Sequence, residues 1–244
     1  MSKEQENGIE IENNDQELEE IEQAIIDRDE KDRLIDEQNR RDFEAAGRHE
    51  NLNKKKIEIN STNIDGVENV AATIMKEIEP GHQIISIDGS SGTGKSSTAK
   101  VLARDLGGIL FSMGEVFRYL TYRRMAEEDV KFSDVFKNLK YEIVGEEICL
   151  FDGDINISKE FESDLRDKDL ESRIPEIAGQ SQTGAIGFVS DQMEELKKQT
   201  DKKILLEGRA FTLNYLPAHL QITLTVDSKV RAERRWLQLE QMKK

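Results

Sequence analysis

Residues 89 to 96 read Gly-Ser-Ser-Gly-Thr-Gly-Lys-Ser, directly after the apolar run Ile84, Ile85, Ile87 and directly before a helical pattern. Strand, glycine-rich loop and helix in that order are the setting in which a Gly-x-x-x-x-Gly-Lys-Ser segment cradles phosphate. One short stretch therefore commits the chain to alternating strands and helices around a parallel sheet. Gly89, Gly92 and Gly94 admit backbone turns closed to residues with a side chain, so that successive N–H groups converge on an anion. The helix that follows adds the positive end of its dipole. Lys95 is placed to bridge the two outer phosphates of a nucleoside triphosphate, and the Ser96 hydroxyl to ligate the magnesium ion that accompanies them. The predicted triphosphate site runs through Gly89, Ser90, Ser91, Gly92, Thr93, Gly94, Lys95, Ser96 and Ser97. Ala99, Leu102, Ala103 and Leu106 continue the helix at i, i+3, i+4 and i+7, and Gly107-Gly108 ends it.

The chain has 244 residues, 36% of them apolar, enough for one domain core. Its 35% charged residues and net charge of -15 imply that part of it is solvated. Residues 1–56 hold 18 acidic and 10 basic side chains, so about half the excess acid lies in under a quarter of the chain. Such a surface argues against nucleic acid or an anionic membrane as partner. Cys149 is the single cysteine, which excludes an internal disulfide, and the three histidines, His49, His82 and His219, form no metal-binding pattern. No apolar run approaches the ~20 residues of a membrane helix, and the first residues lack the apolar stretch of a secretory signal. The expectation is a cytoplasmic protein.

Residues 15–48 contain no proline and no glycine before Gly47, and acids repeatedly precede bases by four. Asp27 with Lys31, Asp29 with Arg33, Asp36 with Arg40, Glu37 with Arg41 and Glu44 with Arg48 have the order that supports a helix in solvent. The apolar stripe Leu18, Ile21, Ile25 is broken by charge until Leu34 and Ile35, too broken for a sustained coiled coil. Two readings stand: a charged, partly frayed arm, or a docking helix for a protein partner or a second copy. Residues 49–65 read as a linker, and 66–79 as a short amphipathic helix ended by Pro80-Gly81. The domains expected are 1–60, an acidic helical extension with linker; 61–82, a short helix; and 83–244, the core. Within the core a strand is predicted near Ile109–Phe111 and a helix over Gly114–Ala126. Apolar runs between Tyr141 and Ile157, separated by Gly145-Glu146 and Asp152-Gly153, read as antiparallel hairpins with Cys149 a buried thiol in the middle strand. Helices fill 160–199, Ile204–Leu206 and Leu220–Val226 read as parallel strands, and a last helix starts near Lys229.

From Ile84 onward the chain resembles the cytidylate kinase family of nucleoside monophosphate kinases. The resemblance is carried in order by Ile87-Asp88-Gly89, Met113-Gly114 with Phe117-Arg118, the antiparallel insert, Leu206-Glu207-Gly208-Arg209, Tyr215-Leu216-Pro217, and Arg231 to Leu239. It implies a P-loop three-layer α/β fold, with an antiparallel acceptor-binding insert at 140–200 and the start of a mobile lid at 228–244. It implies transfer of the terminal phosphoryl group of ATP to CMP or dCMP, with magnesium. Carried over residue by residue, Asp88 is the acid beside magnesium and phosphates and a second candidate metal ligand. Arg118 and Arg209 face the acceptor phosphate, where a guanidinium fork neutralises and aligns it. The departures are Ala210 where the family has Asp, Met113 for Thr or Ser, and Phe117 for Tyr. No counterpart of the residues that read cytosine is found between Ile174 and Ser190. Arg231, Arg234 and Arg235 resemble the opening of the lid helix; the remainder of the lid, the last strand and the final helix of the family are expected to be absent after Lys244, leaving a sheet short of an edge strand with its phosphates open to water. Two alternatives remain at this point: a kinase with a different small acceptor, or a catalytically weak nucleotide-binding protein working through its acidic arm.

Overall fold

The computed structural model describes residues 3–242, with side chains for 15–165 and 167–240. In chain order the elements are α1 (Lys3–Ala45), β1 (Lys55–Asn60), α2 (Val67–Met75), β2 (Ile84–Gly89), α3 (Lys95–Asp105), β3 (Ile109–Ser112), α4 (Gly114–Ala126), α5 (Phe132–Asn138), β4 (Leu139–Val144), β5 (Glu147–Asp152), β6 (Ile155–Asn156), α6 (Ile157–Glu160), α7 (Lys168–Gln199), β7 (Ile204–Glu207), α8 (Ala210–Tyr215), β8 (Leu220–Thr225) and α9 (Ser228–Met242). Five strands pair in the order β1-β8-β2-β7-β3, every pair parallel. β2 is buried at every position but Gly89, as the near-continuous apolar reading of a central parallel strand requires. Ile85 and Ile87 point to one face, where they meet Val70, Ala71 and Ile74 of α2 and Ala99 and Leu102 of α3. Ile84 points to the other, packed with Phe111, Leu206, Val116 and Leu120 and with Val189 of α7. The result is the three-layer α/β architecture read from the sequence.

The antiparallel unit is also present: β4, β5 and β6 form a second sheet, with Tyr141 opposite Leu150 and Gly145 turning the first hairpin at φ 69. Cys149 is a free, buried thiol in its middle strand. The insert is tied to α4 through Asp152, which accepts from the Tyr119 hydroxyl at 2.5 Å and pairs with Arg123 at 2.7 Å.

Two readings of the N-terminal third are corrected. Residues 55–60, expected within a linker, form β1, paired with β8 over six positions from Lys55 opposite Leu220 to Asn60 opposite Thr225. The strand was hidden by its place at the sheet edge, where only one face is apolar. Ile57 and Ile59 alternate with Lys56, Glu58 and Asn60 behind a run of three lysines. The edge strand expected to be missing is thus supplied from the N-terminal side of the phosphate loop. Just before it, Lys54 donates to the carbonyls of Leu213, Asn214 and Leu216 at the end of α8.

The second correction concerns α1, which is not a frayed arm. Ile25 and Phe43 are buried on the chain's own core, and the Phe43 ring lies 5.2 Å from that of Phe211 and 4.7 Å from that of Tyr215. Along α9, Trp236 donates to Glu17 and Ser228 to Glu22. The apolar stripe is broken because the surface it meets is cationic. Asp29 and Asp36, expected to pair along their own helix, turn to Arg231 and Arg209 instead, while Glu37 with Arg41 keeps its spacing at 3.9 Å.

Candidate active site

In open α/β sheets ligands bind beyond the carboxyl ends of the strands, and the phosphate loop occupies that place after β2. A Cβ on Gly89 would lie 2.6 Å from the Leu224 carbonyl and 2.8 Å from the Thr93 hydroxyl, so glycine is required for the loop to lie against β8. The Thr93 hydroxyl donates to the Ser90 carbonyl at 2.9 Å, closing the turn. Gly94 opens α3 at φ 87 and no side chain caps that end. The uncapped first turn leaves backbone N–H groups and the helix dipole for an anion.

Lys95 and Ser96 begin α3. The Ser96 hydroxyl donates to Glu207 Oε1 at 3.0 Å, and Ser112 to the other oxygen at 3.5 Å. Glu207, at the end of the neighbouring β7, was not singled out in the sequence as a site residue. A carboxylate closing a strand beside the phosphate loop was the available signal. Ser96 and Glu207 offer the hard oxygen donors that magnesium takes. Among the described residues there is no cluster of three or more acids, histidines or cysteines able to hold a metal. Asp88 is fully buried: its Oδ2 accepts from Gln221 at 2.6 Å and its Oδ1 has no partner, and burial pushes its carboxyl above the usual range. Lys95 is pushed down by burial; Glu207 opposes this, while Arg28 and Arg209 add to it.

The loop forms one wall of a cleft of about 990 Å³ whose other walls are α1 and α9. Lys95, Arg28, Arg231, Arg234 and Arg235 line it, and among the described residues no carboxylate does. In a chain of net charge -15, five cations of which only Arg231 is paired with an acid among the described residues mark a polyanion site. Arg231 is nearly buried there, bonded to Asp29 at 2.6 Å and to the Ser91 carbonyl at 3.2 Å, which fixes α9 against the loop. A second cleft continues from Gly89, Ser90 and Lys95 to Arg209 and Ala210, edged by Asp29, Asp32 and Asp36 of α1. Arg209 is thus brought to Lys95, its guanidinium held by Asp36 at 3.0 Å and Asp32 at 3.4 Å. Arg118 does not line either cleft; it lies on α4, 3.9 Å from Glu171. Arg28 was missed in the sequence because its meaning depends on where α1 docks.

A phosphate loop at the carboxyl end of a central parallel strand, a basic cleft and an arginine on the neighbouring strand's loop define a P-loop enzyme of phosphoryl transfer. A family model described as cytidylate kinase matches residues 85–244. Among curated proteins, the cytidylate kinase of Mycoplasmoides gallisepticum is 35% identical over 161 residues, 64% of this chain and 67% of that protein. The cytidylate kinases of Flavobacterium psychrophilum, at 32%, and of an Exiguobacterium strain, at 29%, each align with 62% of this chain and with 70% and 67% of their own lengths. The chain belongs to the cytidylate kinase family and is a nucleoside monophosphate kinase.

Proposed function

We propose that this kinase transfers the terminal phosphoryl group of ATP to CMP or dCMP at the two joined clefts. The observation that carries the reading is the set of five cations around a phosphate loop that opens onto Arg209. The loop N–H groups and the head of α3 hold the donor phosphates, and Lys95 balances the charge on the outer two. Ser96 and Glu207 would hold magnesium, which supplies charge neutralisation at the phosphates when bound. Arg209 takes the acceptor phosphate, releasing Asp32 and Asp36, and sets it in line with the donor. A monophosphate is largely dianionic at neutral pH, so its attacking oxygen needs no strong base. Positioning and charge then account for the rate. Arg118 is assigned to the acceptor side, as a group that approaches when the clefts close around substrate.

The test is ATP consumption with CMP, dCMP, UMP and AMP as acceptors. CMP or dCMP is expected to be favoured, with Lys95→Ala lower by about 100-fold or more in kcat/KM. Arg209→Ala is expected to raise acceptor KM about tenfold while leaving ATP KM within about twofold. Equal rates on all four acceptors, or preference for AMP, would overturn the cytidine assignment.

A further inference from the structure

The cleft around the phosphate loop is not built by the family-matched stretch alone. Four of its cations come from residues 85–244, but Arg28 comes from α1, outside that match. On the same helix Arg33, Arg40 and Arg41 are each paired with a glutamate, whereas Arg28 makes no such pair among the described residues. A cation left free amid carboxylates, beside Lys95, costs the empty site repulsion that a bound polyanion relieves. The helix that presents it is held in place on both sides of Arg28 by Ile25, Phe43 and the pair of Asp29 with Arg231. Behind it, β1 is fully registered on β8, and α2 buries Val70 and Ile74 in the same core layer as α3. These segments occupy an edge of the sheet and a cover for the phosphates. The relatives leave about a third of their own length outside the match, and this chain carries residues 1–84 ahead of it.

We propose that residues 15–80 complete the phosphotransfer unit in permuted chain order: β1 supplies its edge strand, α1 covers its triphosphate cleft, and Arg28 contacts the terminal phosphates of the donor. The inference builds on the donor site proposed above and extends it to a segment that the family match does not include. A charged fork closing from α1 neutralises the donor in a cleft that α1 itself shields from water, where such contacts are strongest.

Arg28 is exposed on a helix, so Arg28→Ala leaves the fold intact. Arg41→Ala makes the same charge change on the same helix away from both clefts and serves as the control. Arg28→Ala is expected to raise ATP KM or lower kcat by about tenfold or more, with CMP KM within about twofold, while Arg41→Ala matches the parent. Arg28→Lys should recover part of the loss, because it restores charge without the fork. A direct titration with a fluorescent ATP analogue reads the same contact without turnover, and about tenfold weaker binding by Arg28→Ala supports it. Arg28→Ala within twofold of the parent in both kinetics and ATP binding overturns the proposal, as does a change confined to CMP KM. A parent chain that binds the ATP analogue through Arg28 but phosphorylates no cytidine nucleotide would sink the acceptor assignment and leave the cover standing.

Discussion

At the scale of single residues, Asp88 separates local chemistry from tertiary placement. Its carboxyl lies at the end of β2 with no exposed surface, one oxygen held by Gln221 and the other unpartnered, while Gln221 Oε1 also lacks a donor. Burial raises its pKa above 3.8, with the bond from Gln221 acting against it. The folded chain therefore binds this proton more tightly than the unfolded chain does. The stabilisation from it is complete below the unfolded value and is lost as pH rises through the folded one. Asp88→Asn, which carries a permanent donor for Gln221 Oε1, is expected to flatten the fall of stability as pH rises above about 4, measured by urea denaturation at each pH. An unchanged slope would show that another group titrates. A direct role of Asp88 at the phosphates adds a loss of kcat to this variant, whereas support of the loop alone moves only stability. The residues from Gly89 to Ser97 were legible because their chemistry is written in consecutive positions. Glu207 and Arg28 were not, since each becomes a site residue only through a strand end or a helix face set by distant packing.

At the scale of elements, α1 holds the acceptor arginine. Asp32 and Asp36 reach Arg209 from one face of the helix, and burial raises the Asp36 carboxyl ahead of the opposing pull of Arg209. An acceptor phosphate must displace these carboxylates to take the guanidinium. All three side chains are partly exposed, so each ion pair is worth about 1 kcal/mol or less. Asp32→Asn with Asp36→Asn is expected to lower acceptor KM by up to about tenfold and to reduce its dependence on salt. A raised KM would mean that the carboxylates position Arg209 rather than compete for it. The contrast in legibility follows the same physics. α4 begins and ends where its pattern predicts, and β7 and β8 stand out because buried parallel strands read as unbroken apolar runs. β1 and the docked face of α1 stayed hidden because an edge strand and an ion-paired helix bury too little apolar surface to mark the sequence.

At the scale of the whole molecule, the excess acid of residues 1–56 reads differently once α1 is placed. A solvated tail would add self-repulsion, but Asp29, Asp32 and Asp36 meet arginines of the core across the cleft wall. If these contacts and the β1–β8 ladder join residues 1–80 to the kinase core, the chain unfolds as one cooperative unit. Trp236 is the single tryptophan, and its indole bonds Glu17 where α9 meets α1, so its fluorescence reports the docking of that helix directly. Equilibrium urea denaturation is expected to give one transition, with coincident midpoints from Trp236 fluorescence and far-ultraviolet circular dichroism. Saturating ATP with magnesium should shift both midpoints upward together, because a ligand held between α1 and the loop binds only the docked state. A fluorescence change at lower urea, ahead of the loss of sheet and helix signal, would show α1 leaving as a separate unit. An ATP-induced shift in circular dichroism alone would place the donor site within residues 81–244 and remove α1 from it.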